Sequence, residues 1–280
     1  RATGIHDRGA GAPCLMNAPE GPCDRDHGVR WGAGAGIEPS LHGAFEARFG
    51  FPLVEIWGMT EMCRVLADAH EPRQIDTRAF GRPAPGLEVR VVDDQDRDVP
   101  VGEAGEMIVR HSAETPRKGA FSGYLNLPEA TEAAWRGGWF HTGDTVRQDQ
   151  TGMIFFVDRK KNIIRRSGEN IAAAEVEACI QAHANVAQVA VIAIEDHLRD
   201  EEVMACIVAR DAEPDGDLAR AIFDRAFAEL AYYKPPGWIV FVDALPVTGT
   251  QKVQKHMLFA DGVDPRTLDR THDLRALKRR

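Results

Sequence analysis

The chain has 280 residues, of which 44% are hydrophobic and 28% are charged, as in an ordinary globular protein. Its 34 basic and 43 acidic residues give a formal net charge of -9, which argues against nucleic acid and anionic membranes as partners. A single core stops growing at roughly 250 to 300 residues, so two domains of modest size are expected.

The sequence carries no sign of export or of membrane insertion. Its apolar runs fall well short of the roughly 20 residues that span a bilayer, and it does not open with a signal-peptide pattern. Its five cysteines form no CxxC pair, which disfavours a disulfide framework and a zinc site. A cytoplasmic protein without a transmembrane segment is predicted.

In chain order, the first thirty residues are rich in Gly, Ala, Pro and Asp without sustained periodicity, which predicts a start within a domain. An apolar strand is predicted at 51–56. From about Gly86, alternating apolar residues predict a β-rich subdomain over about 80–160. Its strands fall near Leu87 to Val91, Met107 to Val109 and Met153 to Val157.

A second pattern begins near residue 161. A strand near Ile163 precedes an amphipathic helix that Asn170 is expected to cap. The later predicted elements are that helix with Val176, Cys179 and Ile180 on one face, strands at Val186–Ile194 and Val203–Ala209, a helix with Leu218, Ile222, Ala226 and Leu230, and a strand at Trp238–Val242. The order predicts a compact α+β domain, and the polar stretch 264–280 predicts a solvated tail or short surface helix.

Gly32 to Gly36 reads Gly-Ala-Gly-Ala-Gly, and a glycine backbone can approach a nucleotide closely because no side chain obstructs it. The full dinucleotide fingerprint would require a glycine where Ile37 stands. By itself the segment favours a tight turn. Gly34 and Gly36 are candidate nucleotide contacts.

The segment Trp57-Gly58-Met59-Thr60-Glu61 follows the apolar strand, and the carboxyl end of a strand is where α/β proteins usually bind ligands. Trp57 offers a flat face to an adenine ring and Thr60 a hydroxyl to a phosphate oxygen. Glu61 offers a hard oxygen ligand to Mg²⁺. A buried tryptophan followed by a capped helix explains the segment equally well.

The segment from Gly138 to Asp144 reads GWFHTGD, with two glycines around aromatic residues and one carboxylate at the exit. An ionised Asp144 can accept two hydrogen bonds, which suits the paired hydroxyls of a ribose. An aspartate that only caps a turn is the alternative. The stretch from Asp158 to Lys161 follows a strand and on its own predicts a solvated charged turn.

Two later segments combine glycine with polar residues. Arg166 to Asn170 places a glycine before a helix, which indicates either a helix start or a narrow passage for an extended ligand. Leu245 to Lys255 is a Thr/Gly loop ending in two lysines. Such a loop is either simply exposed, or it carries a lysine that supplies positive charge to a phosphoryl group or carboxylate.

These segments occur in the order and approximate spacing of the acyl-adenylate-forming (AMP-binding) enzymes, which the chain resembles from about Trp31 to His256. The most specific matches are 57–61, 138–144, 158–170 and 246–255. Within the family the chain is most similar to acyl-CoA ligases of the fatty-acid or crotonobetaine/carnitine-CoA ligase type. The resemblance covers the carboxyl-terminal part of such enzymes.

The resemblance implies roles for the residues of the first motif. Trp57 is similar to the aromatic residue that stacks on adenine, and Gly58 and Met59 belong to the same nucleotide-binding segment. Thr60 resembles a catalytic phosphate contact, and Glu61 resembles the catalytic carboxylate associated with Mg²⁺.

The later motifs carry further implied roles. Asp144 and Arg159 resemble the residues that hold the ribose hydroxyls, and Lys161 falls at the hinge on which the small domain turns. Lys252 matches the catalytic lysine of the terminal loop. The residues beside the pantetheine passage of coenzyme A are Ser167, Gly168 and Glu169.

The implied fold is the α/β and β-rich remainder of a large amino-terminal domain (1–160), followed by a small, mobile α+β carboxyl-terminal domain (161–280). The implied reaction is attack of a carboxylate on the α-phosphorus of ATP, followed by attack of the CoA thiol on the acyl-AMP. ATP, Mg²⁺ and coenzyme A are therefore the expected substrates and cofactors.

The sequence departs from the family pattern in two places. Gln251 stands directly before Lys252, where the family usually has glycine, and no loop of the form SGTTGxPK occurs. In the family that loop cradles the β- and γ-phosphates. We therefore predict an ATP-dependent acyl-CoA ligase in a form without the phosphate loop. The alternatives are a noncatalytic nucleotide-binding remnant and an adenylating enzyme with another acceptor. The resemblance allows a homodimer.

Overall fold

The computed structural model describes residues 2–7, 11–248 and 253–278. The chain divides into two compact units, Arg1–Val157 and Asp158–Arg280, which we call the amino-terminal and carboxyl-terminal units. The sequence placed the division between residues 160 and 161. None of the helices in the described residues has the length and apolar run that a membrane span requires.

The amino-terminal unit contains two four-stranded sheets, and the last strand runs across the boundary into the second unit. Its strands and helices, in chain order, are β1 (Gly4–Asp7), α1 (Gly11–Asn17), β2 (Trp31–Gly34), α2 (Pro39–Phe49), β3 (Leu53–Met59), β4 (Met62–Ala67), β5 (Glu88–Val92), β6 (Ala104–Arg110), α3 (Pro128–Ala134), β7 (Phe140–Gln148) and β8 (Ile154–Arg159).

The first sheet has the strand order β1-β2-β3-β4, with β1, β2 and β3 parallel and β4 antiparallel to β3. Alternate residues of β3 are buried, including Leu53 and Trp57. Phe45 and Phe49 of α2 pack against Leu53, and α2 ends at Gly50, whose left-handed φ of 77° favours glycine. Burial of each such large side chain contributes about 1.5–3 kcal/mol. The core therefore fixes both β3 and the motif at its end.

The second sheet has the order β5-β6-β7-β8, and the pairs β5/β6 and β6/β7 are antiparallel. The three strands predicted for a β-rich subdomain correspond to β5, β6 and β8. Met107, Val109 and Phe140 from this sheet share a core with Trp57 of the first sheet. This shared core holds the two predicted nucleotide-binding motifs close together.

The strands and helices of the carboxyl-terminal unit are β9 (Ile163–Arg166), β10 (Glu169–Ala172), α4 (Ala173–Gln181), β11 (Val186–Asp196), β12 (Asp200–Ala209), α5 (Gly216–Glu229), β13 (Trp238–Phe241) and β14 (Thr271–Asp273). The unit contains a six-stranded sheet of order β10-β9-β12-β13-β14, with β11 paired to β12. Helices α4 and α5 pack together with buried strand residues in one core. The predicted α/β and α+β fold class is confirmed.

Two local predictions for this unit are wrong. Asn170 does not cap α4, because it lies within β10 and the N-cap position falls at Ala172. The carboxylate of Asp158 instead accepts a hydrogen bond from the Ala174 amide at 2.8 Å, which satisfies a donor at the helix start. The stretch 264–280 is not simply a solvated tail, because β14 within it pairs with β13.

Candidate functional site

The Trp57 to Glu61 motif lies across a β-hairpin. Strand β3 runs through Met59, beyond the predicted end at residue 56, and Met59 pairs with Met62 of β4. Thr60 and Glu61 therefore form the turn, and the alternative of a capped helix here is wrong. Gly58 approaches β4 closely, because an added Cβ would lie 2.9 Å from Val65 Cγ1. The hairpin presents an exposed Thr60 at its tip.

Asp144 is positioned by an irregularity in β7. The register between β6 and β7 shifts between Glu106 and Ile108, so that Thr142 to Asp144 lie opposite Met107. Thr142 Oγ1 donates to the Met107 carbonyl at 2.7 Å and accepts from the Asp144 amide at 3.1 Å. Gly143 takes a φ of 69°, which favours glycine. Such bulges redirect side chains, and this one turns the Asp144 carboxylate into the core.

The two motifs meet through one hydrogen bond. Trp57 Nε1 donates to Asp144 Oδ2 at 2.8 Å, although the residues are 87 positions apart. Both are buried, with exposed fractions of 6% for Trp57 and 2% for Asp144. The indole also lies nearly parallel to Phe80, with ring centroids 6.2 Å apart. A hydrogen bond to a charged group in a buried setting is among the stronger ones, so it fixes the orientation of the carboxylate.

A buried glutamate that sequence reasoning missed supports the same bulge. Glu106 Oε1 accepts from the Gly143 amide at 3.3 Å, and Glu106 Oε2 lies 3.3 Å from His141 Nδ1. Arg136 approaches Glu106 Oε2 at 3.4 Å. Glu106 directly precedes the predicted Met107 to Val109 strand. Only its burial distinguishes it from other glutamates, and burial cannot be read from the sequence.

Glu61 lies beside the ring of Tyr124, whose hydroxyl donates to Glu61 Oε1 at 3.2 Å. Burial, and then the charge of Glu61, raise the pKa of Tyr124. Within the described residues, no group of three or more His, Cys, Asp or Glu side chains gathers as a metal site. One carboxylate in the partly exposed turn between β3 and β4 suits an Mg²⁺ ion that is held mainly by phosphate oxygens.

The glycine-rich segment ends in a carboxylate bridge. Gly36 N and Ile37 N donate to the two oxygens of Glu55, at 2.7 and 2.9 Å. Gly34 is required by packing, because an added Cβ would lie 2.6 Å from Ile37 Cγ1. The tight turn is thus present, and its Gly36 amide already has an internal partner. Burial raises the pKa of Glu55 to about 7, against the opposing effect of its two amide donors.

This raised pKa predicts a pH-dependent stability. Between pH 4.5 and about 7 the folded chain holds a proton on Glu55 that the unfolded chain releases. The free energy of unfolding should therefore fall by about 3 kcal/mol as pH rises through this window. Glu55→Gln should remove that part of the fall, measured by urea unfolding at a series of pH values. Glu103→Gln, at an exposed glutamate, is the control, and equal slopes in both variants would contradict the prediction.

In the carboxyl-terminal unit, the charged segment after β8 forms a single helical turn, Lys160–Asn162. Lys161 is exposed, as a solvated turn predicts, but Asp158 is only 3% exposed, so the prediction is wrong there. Asp158 Oδ1 accepts from the Arg159 amide at 2.7 Å and from Asn162 Nδ2 at 3.1 Å. Asp158 therefore ties the segment that carries Arg159 and Lys161 to the start of α4.

Ser167 and Gly168 form a two-residue turn between β9 and β10, and we call this pair the hairpin tip. Arg166 pairs with Glu169 across it. Both tip residues have positive φ, 51° for Ser167 and 84° for Gly168, as in the turns that match the twist of a hairpin. A helix start at this point is therefore wrong. Ser167, Gly168 and Glu169 are all exposed.

The described residues on either side of 249–252 pair with each other. Val247 and Val253 form an antiparallel bridge, and the Gln254 amide donates to the Pro246 carbonyl at 2.8 Å. Lys255 Nζ then forms an ion pair with Glu177 of α4 at 2.7 Å. The pKa of Glu177 is raised, because the effect of burial outweighs the opposing charge of Lys255. The predicted catalytic residue Lys252 lies outside the described residues.

Comparison with known proteins relates this arrangement to a family. The model of AMP-binding enzymes matches residues 12–125, and the model of the AMP-binding enzyme C-terminal domain matches residues 175–252. The chain belongs to the AMP-binding enzyme family. The resemblance to AMP-binding enzymes that was recognised from the sequence motifs is therefore confirmed.

Relatives of known function are similar over most of this chain. Crotonobetaine/carnitine–CoA ligase of Salmonella paratyphi C is 36% identical over 252 residues, 87% of this chain and 47% of that protein. ATP-bound MatB from Rhodopseudomonas palustris matches with a TM-score of 0.76 and 27% identity, covering 92% of this chain and 50% of MatB. Amide bond synthetase McbA from Marinactinospora thermotolerans matches with a TM-score of 0.73 and 31% identity, covering 91% and 52%. The chain thus spans about half the length of the curated relatives it matches.

Proposed function

We propose that the protein is an ATP-dependent acyl-CoA ligase, or the part of one that binds the nucleoside and coenzyme A. In the first step an acid carboxylate attacks the α-phosphorus of ATP, giving acyl-AMP and pyrophosphate. In the second, the sulfur of CoA attacks the acyl carbonyl, giving the thioester and AMP while the thiol proton is lost. Positioning and charge stabilisation dominate such chemistry.

The observation that carries the proposal is the bond from Trp57 to Asp144. Two motifs that independently resemble nucleotide-binding segments meet at this point, with a donor–acceptor distance of 2.8 Å. In this role Asp144 accepts hydrogen bonds from the ribose hydroxyls, and Trp57 holds the carboxylate in orientation while its ring borders the adenine. The backbone that surrounds the base comes from Gly34, Gly36, Gly58 and Met59.

The turn between β3 and β4 supplies the groups that contact the phosphates. The exposed Thr60 donates its hydroxyl to a phosphate oxygen, and Glu61 is the residue that would hold Mg²⁺ with the phosphates. The ion would supply charge neutralisation at the phosphoryl oxygens. Tyr124 supports this role because its hydroxyl donates to Glu61 and limits the rotation of the carboxylate.

The remaining roles lie in the carboxyl-terminal unit. Arg159 contributes to the ribose contact, and Lys252 neutralises charge between the acid carboxylate and the α-phosphate. The pair Lys255 and Glu177 supports this assignment because it anchors the chain three residues beyond Lys252. The hairpin tip and Glu169 border the pantetheine arm of CoA, and the space beside Gly168 is open, since an added Cβ there would meet nothing within 4 Å.

Lys161 is the proposed hinge, and Lys161→Pro should reduce thioester formation more than acyl-adenylate formation. Proline fixes φ and obstructs rotation of the backbone, while the first-step arrangement stays accessible. The two half-reactions are followed separately, in a form of the protein that performs both. Lys161→Ala removes the charge but keeps the backbone freedom, so it should leave both steps near the wild-type rate. Equal losses in both half-reactions for the proline variant would argue against a hinge.

A second candidate is an adenylating enzyme with an amine acceptor, which the similarity to an amide bond synthetase favours. The chain is incubated with synthetic acyl-AMPs, including those of crotonobetaine, carnitine and fatty acids, and then given either CoA or primary amines. Thioester formation with CoA supports the ligase. Amide formation without thioester supports the second candidate, and neither product supports a noncatalytic remnant.

A further inference from the structure

A carboxylate with no exposure to solvent lies in the carboxyl-terminal unit. Glu202 of β12 is 0% exposed. Its Oε2 accepts from Arg166 Nε at 2.8 Å, and its Oε1 accepts from the Val203 amide at 2.8 Å and from Lys278 Nζ. The side chain of Lys278 is itself only 1% exposed. One buried anion therefore joins two buried cations that are more than 100 positions apart in the sequence.

The second cation belongs to the segment from Thr271 to Lys278, which we call the C-terminal latch. It lies beyond the family model match, which ends at residue 252. The latch begins with β14 against β13, and the Leu274 amide donates to the Gly237 carbonyl at 2.8 Å. Arg275 Nη1 donates to Asp196 Oδ2 at 3.1 Å.

The packing around Glu202 is tight at the point where the latch passes. An added Cβ at Gly237 would lie 2.6 Å from Glu202 Cδ, so only glycine lets the chain pass the carboxylate. A buried carboxylate is costly unless its partners are kept. Burial lowers the pKa of Lys278 to about 8. The charge of Glu202 opposes this shift, whereas the charges of Arg166 and Arg199 add to it. At neutral pH the ammonium is thus mostly charged and pairs with Glu202.

The same cluster reaches the hairpin tip. Arg166 is the last residue of β9 and stands directly before Ser167. The Ser167 amide donates to the Arg199 carbonyl at 2.9 Å, and the Arg165 amide donates to Glu201 Oε2 at 2.6 Å. The tip is therefore held by Arg199, directly before β12, and the residue before Arg166 is held by Glu201 of β12, the strand that also carries Glu202. A change in the partners of Glu202 therefore affects both hydrogen bonds, the one from Ser167 to Arg199 and the one from Arg165 to Glu201.

We propose that Lys278 and Glu202 are positioning residues for the hairpin tip, so that the C-terminal latch sets the geometry of the chain beside coenzyme A. The part that concerns coenzyme A rests on the proposed function. Without Lys278, Glu202 Oε1 keeps only the Val203 amide, and Arg166 is drawn toward both oxygens. The Ser167 turn then loses its fixed position against Arg199.

Hydrogen exchange of the 280-residue chain tests the positioning directly. Lys278→Met keeps an unbranched side chain, one atom shorter, and removes its charge, and it should speed exchange of the Ser167 and Arg165 amides by at least about 10-fold. Lys278→Arg keeps the charge and should leave both amides near wild type. Lys234→Met is the control, because it removes a partly exposed lysine–glutamate pair of the same unit, Lys234 with Glu175 at 2.6 Å.

The outcomes separate this inference from the proposed function. Unchanged exchange at Ser167 and Arg165 in Lys278→Met, or an equal rise across α5 and β12, overturns the positioning role. The coenzyme arm uses supplied acyl-AMP and measures thioester formation, where KM for CoA should rise about 10-fold with little change in kcat. Faster exchange with an unchanged KM for CoA would leave the positioning intact and overturn its link to the coenzyme.

Discussion

Asp144→Ala is expected to weaken nucleotide binding by roughly 10- to 150-fold, since a hydrogen bond to a charged group contributes about 1.5 to 3 kcal/mol. The structure adds a second cost, because Trp57 Nε1 donates to Asp144 Oδ2 and alanine removes that acceptor from a buried indole. Calorimetric titration with ATP and AMP measures the change. Arg159→Ala, the other residue assigned to the ribose, should also weaken binding.

Two variants separate the ribose contact from a purely structural role. Asp144→Asn keeps an acceptor for the indole and loses the charge, so it should bind nucleotide weakly while unfolding much like the wild type. Trp57→Phe removes the donor and keeps the carboxylate, so its loss of nucleotide affinity should be smaller than that of Asp144→Ala. ATP affinity that stays unchanged in Asp144→Ala and Arg159→Ala would rule out the ribose assignment.

The elements that the sequence predicted are those with a periodic apolar pattern. The face of α5 with Leu218, Ile222 and Ala226 is buried as expected, and the runs near 186 and 203 form β11 and β12. By contrast, β1 and β14 have four and three residues. Neither strand was predicted, because GIHD and THD contain no apolar run like those of the equally short β9 and β13, and each pairs with a strand distant in the sequence.

The motifs of the candidate site were recognisable in the sequence, but their arrangement in space was not. Trp57 and Asp144 each stood out by motif, yet their bond depends on how two sheets share a core. Burial of charge was the least accessible feature. Asp158 and Lys278 lie in stretches that read as solvated because they are rich in charge, and each is buried by specific partners. A sequence pattern indicates only the average solvation of a stretch, whereas each of these two side chains is buried by its own specific partner.

The 280-residue chain itself should not catalyse ATP–pyrophosphate exchange with any acid. A loop of the form SGTTGxPK is absent from its sequence. In the family that loop holds the pyrophosphate through its backbone amides. Loss of one donor at a site of developing charge costs roughly 100- to 1000-fold in other enzymes, so loss of the loop should cost more. Exchange is measured as acid-dependent incorporation of labelled pyrophosphate into ATP.

Thioester formation from supplied acyl-AMP needs no pyrophosphate site, so activity of this chain should appear in that step. Joining the chain to an upstream segment with a phosphate loop should restore exchange and leave the second step little changed. Lys252→Ala in the joined form is the control, because it should lose exchange while keeping the phosphate loop. Robust exchange by the 280-residue chain alone would sink the prediction and would direct attention to the glycine-rich Gly32 to Gly36 segment. The Gly36 and Ile37 amides, now bonded to Glu55, would then have to exchange that carboxylate for phosphate.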